Sequence, residues 1–410
     1  MKTISCYLIG LVSLAWASAS AEPGRLVIAG GAVDERNAPV WQAFENGLPE
    51  SGLIYIVPSA SSSPAGSAEF AMQALIAHGV SPDRIEVAPL ALRDDEDTPD
   101  TDESDWRKNA SDPKLAASLR TAVGFWFTGG DQLRTTELLL ADGDTPVLSA
   151  IRAAHQDGAS IGGTSAGAAI MSELMIFGGN SFSAFFHPPA REDGKGLLVT
   201  RGLGFFPYGV VDQHFGERAR LGRLIRSLDI LPDTTQRIGF GIDEGTALIV
   251  DFPARLSVVG EGYVTVVDAT EASFTDHPDG YRVENLLVHL LGAEDQLDLA
   301  SGGITPAAHR KATLDAPYYD EAQPNGGGMA FGTQMLSDVI GDALIDNSAT
   351  QDVFRDSFTD QGAGLRYRFR QTSSSAGFWG RDAEGRAQYT VTGIRMSVVP
   401  ISVRIEEITF

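Results

Sequence analysis

The chain has 410 residues and carries 31 Lys and Arg against 54 Asp and Glu, a formal net charge of -23. So negative a protein repels phosphate backbones and anionic lipid, which excludes functions resting on nucleic-acid or membrane-surface binding. Its length and 43% hydrophobic content allow one large core and a smaller second one.

Residues 1–21 read as a secretory signal. Lys2 supplies the positive start, Ile4 to Trp16 the apolar stretch, and Ala19-Ser20-Ala21 an A-x-A site, with cleavage expected after Ala21. The apolar run is too short to span a bilayer. The single cysteine, Cys6, lies within it. The mature chain is therefore expected to hold no disulfide, no thiolate nucleophile and no cysteine-bound metal, and to be secreted or periplasmic.

The next stretch alternates apolar strands with helices. Arg25 to Ala29 predicts a buried strand ending at Gly30-Gly31, and Leu53 to Val57 a second; the apolar spacing from Glu69 to His78 predicts a helix, and Arg84 to Ala88 a third strand. This alternation implies an α/β fold with a parallel sheet covered on both faces, whose ligands bind beyond the carboxyl ends of the strands. Between Asp94 and Asp105 lie eight acidic residues. They read as a solvated mobile loop, or alternatively as an acidic rim that attracts a guanidinium-rich substrate. The spacing lacks the glycine and terminal glutamate of an EF-hand.

Val123 to Phe127 predicts a fourth strand, followed by Thr128-Gly129-Gly130-Asp131-Gln132 and a helix from Leu133 to Leu140 with Asp131 as N-cap. The glycine pair exposes backbone N–H groups at the sheet edge. Ala159 to Ile161 then runs into Gly163-Thr164-Ser165-Ala166-Gly167, a G-x-S-x-G pattern. Such a nucleophile elbow strains the serine backbone and lifts its hydroxyl clear of the sheet, at the start of a helix whose free N–H groups favour negative charge.

A serine hydroxyl needs a base, and the base an orienting acid. Of seven histidines, His78 and His155 read as surface residues on helices, and His289 as a packed residue in an apolar helix from Val283 to Leu291. His214 follows the short strand Gly209 to Asp212, where a strand delivers residues to the active edge. Glu217 to Leu224 reads as helical. At roughly 100° per residue Arg218 then shares His214's direction, whereas Arg223 points to the opposite face. Arg220 and Arg223 read equally well as a solvated basic face. In Gly241-Ile242-Asp243-Glu244-Gly245 either acid could orient His214, ahead of a strand from Ala247 to Val250.

Four segments in order, Thr128 to Gln132, Gly163 to Gly167, Asp212 to Phe215 with Arg218, and Gly241 to Glu244, resemble the cyanophycinase family of serine peptidases. The resemblance covers roughly residues 25–270. It implies a flavodoxin-like, doubly wound, mostly parallel sheet, with Ser165 as nucleophile, His214 as base and Glu244 as orienting acid. It matches Gln132, Asp212, Gln213 and Arg218 to the pocket that binds substrate. Backbone N–H groups of Gly130 and Ala166 are expected to form the oxyanion hole. The implied substrate is cyanophycin, poly-aspartate carrying β-linked arginine. Threonine before Ser165 and Gln213 before His214 are similar to cyanophycinase, whereas dipeptidase E-like proteins more often carry Trp and Pro there.

The sequence divides into a signal peptide at 1–21, an α/β serine peptidase domain at 22–300 and a β-rich extension at 301–410. The extension is loop-rich, with strands expected at Leu365 to Arg370, Gln388 to Val398 and Ile401 to Thr409. Those strands form a small module or pack back onto the main domain. The expected activity is exopeptidase release of β-Asp-Arg dipeptides without cofactor or metal, and a homodimer stays open. An aspartyl or isoaspartyl dipeptidase and a catalytically silent protein binding arginine-rich polymer are the alternatives. An ordinary α/β-hydrolase would order its triad serine, acid, histidine, unlike Ser165, His214, Glu244.

Overall fold

Every residue of the first strand, β1 (Leu26–Ala29), is buried, and alternate side chains enter different cores. The structure, a computed structural model, describes residues 22–192, 194–233, 237–330 and 335–404; the expected signal peptide lies outside the described residues. β1 belongs to a parallel unit with β2 (Ile54–Val57), β3 (Ile85–Val87), β4 (Gly124–Phe127) and β5 (Ser160–Thr164), in the order β3-β2-β4-β5-β1. On one face Val27, Ala29, Ile54, Ile56 and Trp126 pack under α1 (Ala38–Glu45) and α2 (Pro64–Ala77). On the other, Leu26, Ile28, Val57, Phe125 and Phe127 pack with Leu119 of α3 (Pro113–Leu119), Leu139 of α4 (Gln132–Leu140) and Ile151 of α5 (Pro146–Gln156). Continuous apolar strands follow from that double cover, and the α/β class read from the sequence holds.

The sheet continues past β1 in antiparallel fashion through β10 (Thr246–Asp251), β11 (Arg255–Gly260), β15 (Gln296–Asp298) and β16 (Gly303–Thr305). β6 (Leu174–Gly178) and β7 (Leu198–Arg201) pair antiparallel as a separate two-stranded sheet. The chain between β6 and β7 carries the short α7 (Ser183–Phe186).

A second sheet begins with β8 (Val210–Gln213) parallel to β9 (Ile238–Ile242), with α8 (Leu221–Leu228) between them in sequence. It continues antiparallel through β12 (Val264–Asp268) and β14 (Arg282–Leu291), with the short β13 (Ser273–Thr275) paired to β14. The 16-residue β21 (Ala387–Ser402) then pairs with β14, β19 (Ala363–Arg370) and β20 (Ala376–Arg381). β17 (Lys311–Ala312) and β18 (Asp352–Phe358) complete it. Strands from beyond residue 300 thus extend the same sheet as strands from before it. Val283, Leu286, Val288 and Leu290 of β14 share a core with Val391, Ile394, Met396 and Val398 of β21.

Several local expectations change. The segment around His289 is a strand, not a helix: its apolar residues alternate inward, and pairing on both edges overrides any helical reading. The strand expected from Ile401 is the end of β21, and residues 405–409 lie outside the described residues. His155 is 2% exposed rather than on the surface, its Nδ1 bonded to the Ala159 carbonyl at 2.9 Å. The acidic stretch is not wholly a solvated loop. Asp95 is buried and accepts from Ser63 Oγ (2.7 Å) and Gly66 N–H (3.2 Å), while buried Glu103 accepts from Thr98 Oγ1 (2.7 Å) and Asp95 N–H (3.1 Å). The other six acids of the stretch are exposed.

One ion pair sews residues on either side of position 300 together. Arg310 and Asp295 are fully buried 2.5 Å apart, and Arg310 also donates to the Ala293 carbonyl, Gln388 Oε1 and Thr390 Oγ1. Arg310→Met leaves the Asp295 carboxylate buried without its cation. Urea unfolding is expected to show a loss of about 3–5 kcal/mol, and a loss below about 1 kcal/mol would show that the pair does not hold these strands.

Candidate active site

Ser165 occupies the turn from β5 into α6 (Ala166–Ala169) with φ 54° and ψ -110°, a conformation that costs a non-glycine residue energy. The flanking glycines make the turn physically possible. A Cβ on Gly163 would stand 2.4 Å from the Gly167 carbonyl oxygen, and one on Gly167 2.3 Å from that of Phe127. The Ser165 N–H donates to the Ala29 carbonyl at 3.0 Å, fixing the elbow to the end of β1. Its Oγ then meets His214 Nε2 at 2.8 Å.

His214 arrives from β8, in the second sheet rather than the sheet that carries Ser165. Its backbone also has positive φ, 46°, and its N–H donates to the Gly30 carbonyl at 2.7 Å. The ring lies against Gly31, where a Cβ would come within 2.2 Å of His214 Cε1. Glu244 sits where the chain leaves β9 in the second sheet for β10 in the first, and its Oε1 receives His214 Nδ1 at 2.5 Å. Gly245 N–H donates to the Gly31 carbonyl at 2.9 Å, so the Gly30-Gly31 pair binds both the histidine and the acid segments.

Geometry separates the two acids that sequence left open. Asp243 is buried, accepting from Gly216 N–H (2.9 Å) and Tyr263 N–H (3.1 Å). Burial, then the nearby Glu217 carboxylate, pushes its pKa up to about 7. It braces the loop, while Glu244 faces the imidazole. His214 itself is held below the ordinary histidine pKa, first by burial and also by the Arg218 and Arg220 cations, against the raising influence of Glu244.

Gly129 lies in contact with Ser165, where a Cβ would be 3.4 Å from Ser165 Cβ, and the next residue, Gly130, takes φ 138°. Among the described residues the Gly130 and Ala166 N–H groups make no hydrogen bond.

The four side chains matched to the substrate pocket fall into two groups. Arg218 is exposed near His214. Gln132, Asp212 and Gln213 are buried and engaged within the protein. Gln132 Nε2 donates to the Ile176 carbonyl at 2.9 Å, and Gln213 Oε1 accepts from Arg220 at 2.8 Å. Asp212 accepts a two-pronged bond from Arg223, at 2.7 and 2.6 Å. Arg223 therefore does not point away as a solvated cation. Helical projection from His214 fails because the chain turns at Ala219 (φ 50°) and α8 starts only at Leu221. The Asp212–Arg223 bond anchors β8 to α8 just before His214. Sequence reading passed over Gly30 and Gly31 as site residues, although a glycine pair at a strand end was the signal that drew attention to Gly129 and Gly130. Among the described residues no group of three His, Cys, Asp or Glu is placed to hold a metal ion.

The contact between Gly31 and the imidazole is testable. Gly31→Ala needs a methyl where the ring lies and strains a backbone at φ 115°. It is expected to lower turnover about 10²-fold or more by displacing His214, with the circular dichroism spectrum kept. Undiminished turnover would show that the ring position is not set by this glycine.

The model of peptidase family S51 matches residues 107–252, from before the Gly129-Gly130 pair to just past Glu244. A cyanophycinase from Trichormus variabilis is 38% identical over 211 residues, 50% of this chain and 66% of that protein, just short of two thirds. A cyanophycinase from Geminocystis herdmanii is 36% identical over 197 residues, 46% of this chain and 67% of that protein. Among solved structures, a peptidase from an acI-B1 Actinobacterium is 23% identical with a TM-score of 0.42, covering 60% of this chain and 91% of that one. On its sequence relationship, the chain belongs to peptidase family S51 and is cyanophycinase-like.

Proposed function

We propose that the protein is an exported serine exopeptidase that hydrolyses cyanophycin to β-Asp-Arg dipeptides through an acyl-enzyme on Ser165. The observation that carries the reading is the relay Ser165 Oγ to His214 Nε2, 2.8 Å, and His214 Nδ1 to Glu244, 2.5 Å, set on an elbow with free N–H groups alongside. The cyanophycinase relatives support the substrate, and the A-x-A site before Glu22 supports export.

Each residue has a chemical task. With its pKa lowered, His214 is an unprotonated imidazole at neutral pH and takes the Ser165 proton as Oγ attacks the peptide carbonyl carbon. Glu244 holds the tautomer and stabilises the imidazolium, while the Gly130 and Ala166 N–H groups receive the oxyanion. The tetrahedral species collapses, the C–N bond breaks, and His214 gives its proton to the leaving amine. Water, deprotonated by His214, then cleaves the Ser165 ester and restores the hydroxyl. Arg218 offers a guanidinium to a carboxylate of the substrate. The buried Asp212, neutralised by Arg223, positions β8.

Mass spectrometry of the soluble products released from insoluble cyanophycin tests the reading. β-Asp-Arg dipeptides are expected, and hydrolysis confined to short Asp-X peptides would favour the dipeptidase alternative. Ser165→Ala and His214→Ala are each expected to lower kcat about 10³-fold or more in folded protein, with Glu244→Gln less severe. Damage from Asp243→Asn with a silent Glu244→Gln would reassign the orienting acid.

The pH profile has a defined sign. Because the folded pKa of His214 lies below 6.5, the acid limb of kcat/KM is expected to have its midpoint below that value. Arg218→Gln removes a cation that disfavours the imidazolium and should move the midpoint upward; Glu244→Gln should move it downward. An unmoved or lowered midpoint in Arg218→Gln would count against the placement of Arg218 beside the base.

A further inference from the structure

A cavity of about 870 Å³ opens between β20, β21 and the helix Ser337–Ile345. It contains none of the residues of the serine relay. Its walls are aromatic: Tyr263, Tyr318, Tyr319, Trp379 and Tyr389 line it. Tyr318 is 82% exposed and Trp379 37%, so large rings stand open to solvent where burial would normally be favoured. Tyr318 and Tyr319 meet edge to face, with ring centres 5.0 Å apart.

Three aspartates, Asp338, Asp342 and Asp346, also line the cavity, spaced four residues apart. Their hydrogen bonding is incomplete. Tyr389 Oη lies 2.8 Å from Asp342 and 2.9 Å from Asp346, but one hydroxyl proton serves only one of them at a time. Asp346 has a further donor in the Tyr318 N–H at 2.8 Å. Asp342, half-buried, has no second donor among the described residues, and burial raises its pKa. Lys311 and Arg381 also line the cavity, yet neither forms an ion pair with these aspartates among the described residues. Arg381 lies over Trp379, 5.7 Å from the ring centre, and donates to the Gly385 carbonyl. Asp338 interacts electrostatically with Arg355.

Aromatic faces beside an under-donated carboxylate suit a flat cation. Guanidinium combines stacking and cation–π attraction with a planar fork of N–H donors, and its weaker hydration makes removal from water easier than for ammonium. We propose that this cavity is a second binding site, for an arginine side chain displayed on a peptide, with its stem on the aromatic walls and its N–H groups on Asp342. That the arginine belongs to cyanophycin rests on the function proposed above. The site would then hold the polymer while Ser165 cuts it. Tyr263 joins the two places: it lines the cavity, and its backbone N–H holds Asp243 next to Glu244.

The full-length Ser165→Ala protein, titrated with Nα-acetyl-L-arginine methylamide, provides the test through tryptophan fluorescence. The response is expected to saturate, to vanish in Trp379→Phe, and to need about tenfold or more higher concentration with the uncharged citrulline analogue. Asp342→Asn, which still accepts from Tyr389, should cause a similar loss, and Tyr318→Ala a several-fold one. Equal responses to both probes, or titrations unaffected by Asp342→Asn and Tyr318→Ala, would overturn the site. In the protein with Ser165 intact, these two variants should slow release from insoluble cyanophycin while leaving kcat/KM on a soluble β-Asp-Arg oligomer unchanged. Arginine binding without any cyanophycin hydrolysis would defeat the functional reading and leave the site standing. Hydrolysis with no arginine response at Trp379 would do the reverse.

Discussion

The contact on which the site depends is between a backbone and a ring, where His214 lies against Gly31 at the end of the first strand. Two hydrogen bonds fix that contact, His214 N–H to Gly30 and Gly245 N–H to Gly31. Ser165 is tied to the same strand through Ala29. Ser165, His214 and the Glu244 segment are thereby tied to three successive carbonyls at and just past the end of one buried strand. A strand with neighbours on both sides moves little, so the relay is anchored at a sheet end through short turns rather than long loops.

The relay also bridges two sheets. Ser165 ends a strand of the first, His214 a strand of the second, and Glu244 lies on the passage from one to the other. This makes the far half of the chain relevant to the chemistry. β9, which leads to Glu244, is held by β12, β12 by β14, and β14 by β21 near the end of the described chain. Asp243 reinforces the crossing by capping Gly216 on one side and Tyr263 on the other.

Charge is managed by pairing inside and excess outside. The buried cations Arg223 and Arg310 meet Asp212 and Asp295, as uncompensated burial would demand. The acids that remain exposed, including most of the stretch from Asp94 to Asp105, leave a negative exterior suited to cationic ligands.

The sequence alone determined what is local. Apolar strands alternating with helices specified the doubly covered sheet because that pattern depends on near neighbours. Gly163 to Gly167 specified the elbow, since a tight strand-to-helix turn admits only glycine at its close approaches. The motifs singled out Ser165 and His214 and left the acid between Asp243 and Glu244. Tertiary structure decided whatever depends on residues distant in the chain. It chose Glu244 over Asp243 by facing one to the imidazole and burying the other among backbone N–H groups. It turned His289 into a strand residue by supplying pairing partners on both edges, and drew Arg223 inward because Asp212 was already buried there. It gave Gly31 its role as well, since the ring that forbids a side chain at that position comes from a residue 183 places later in a different sheet.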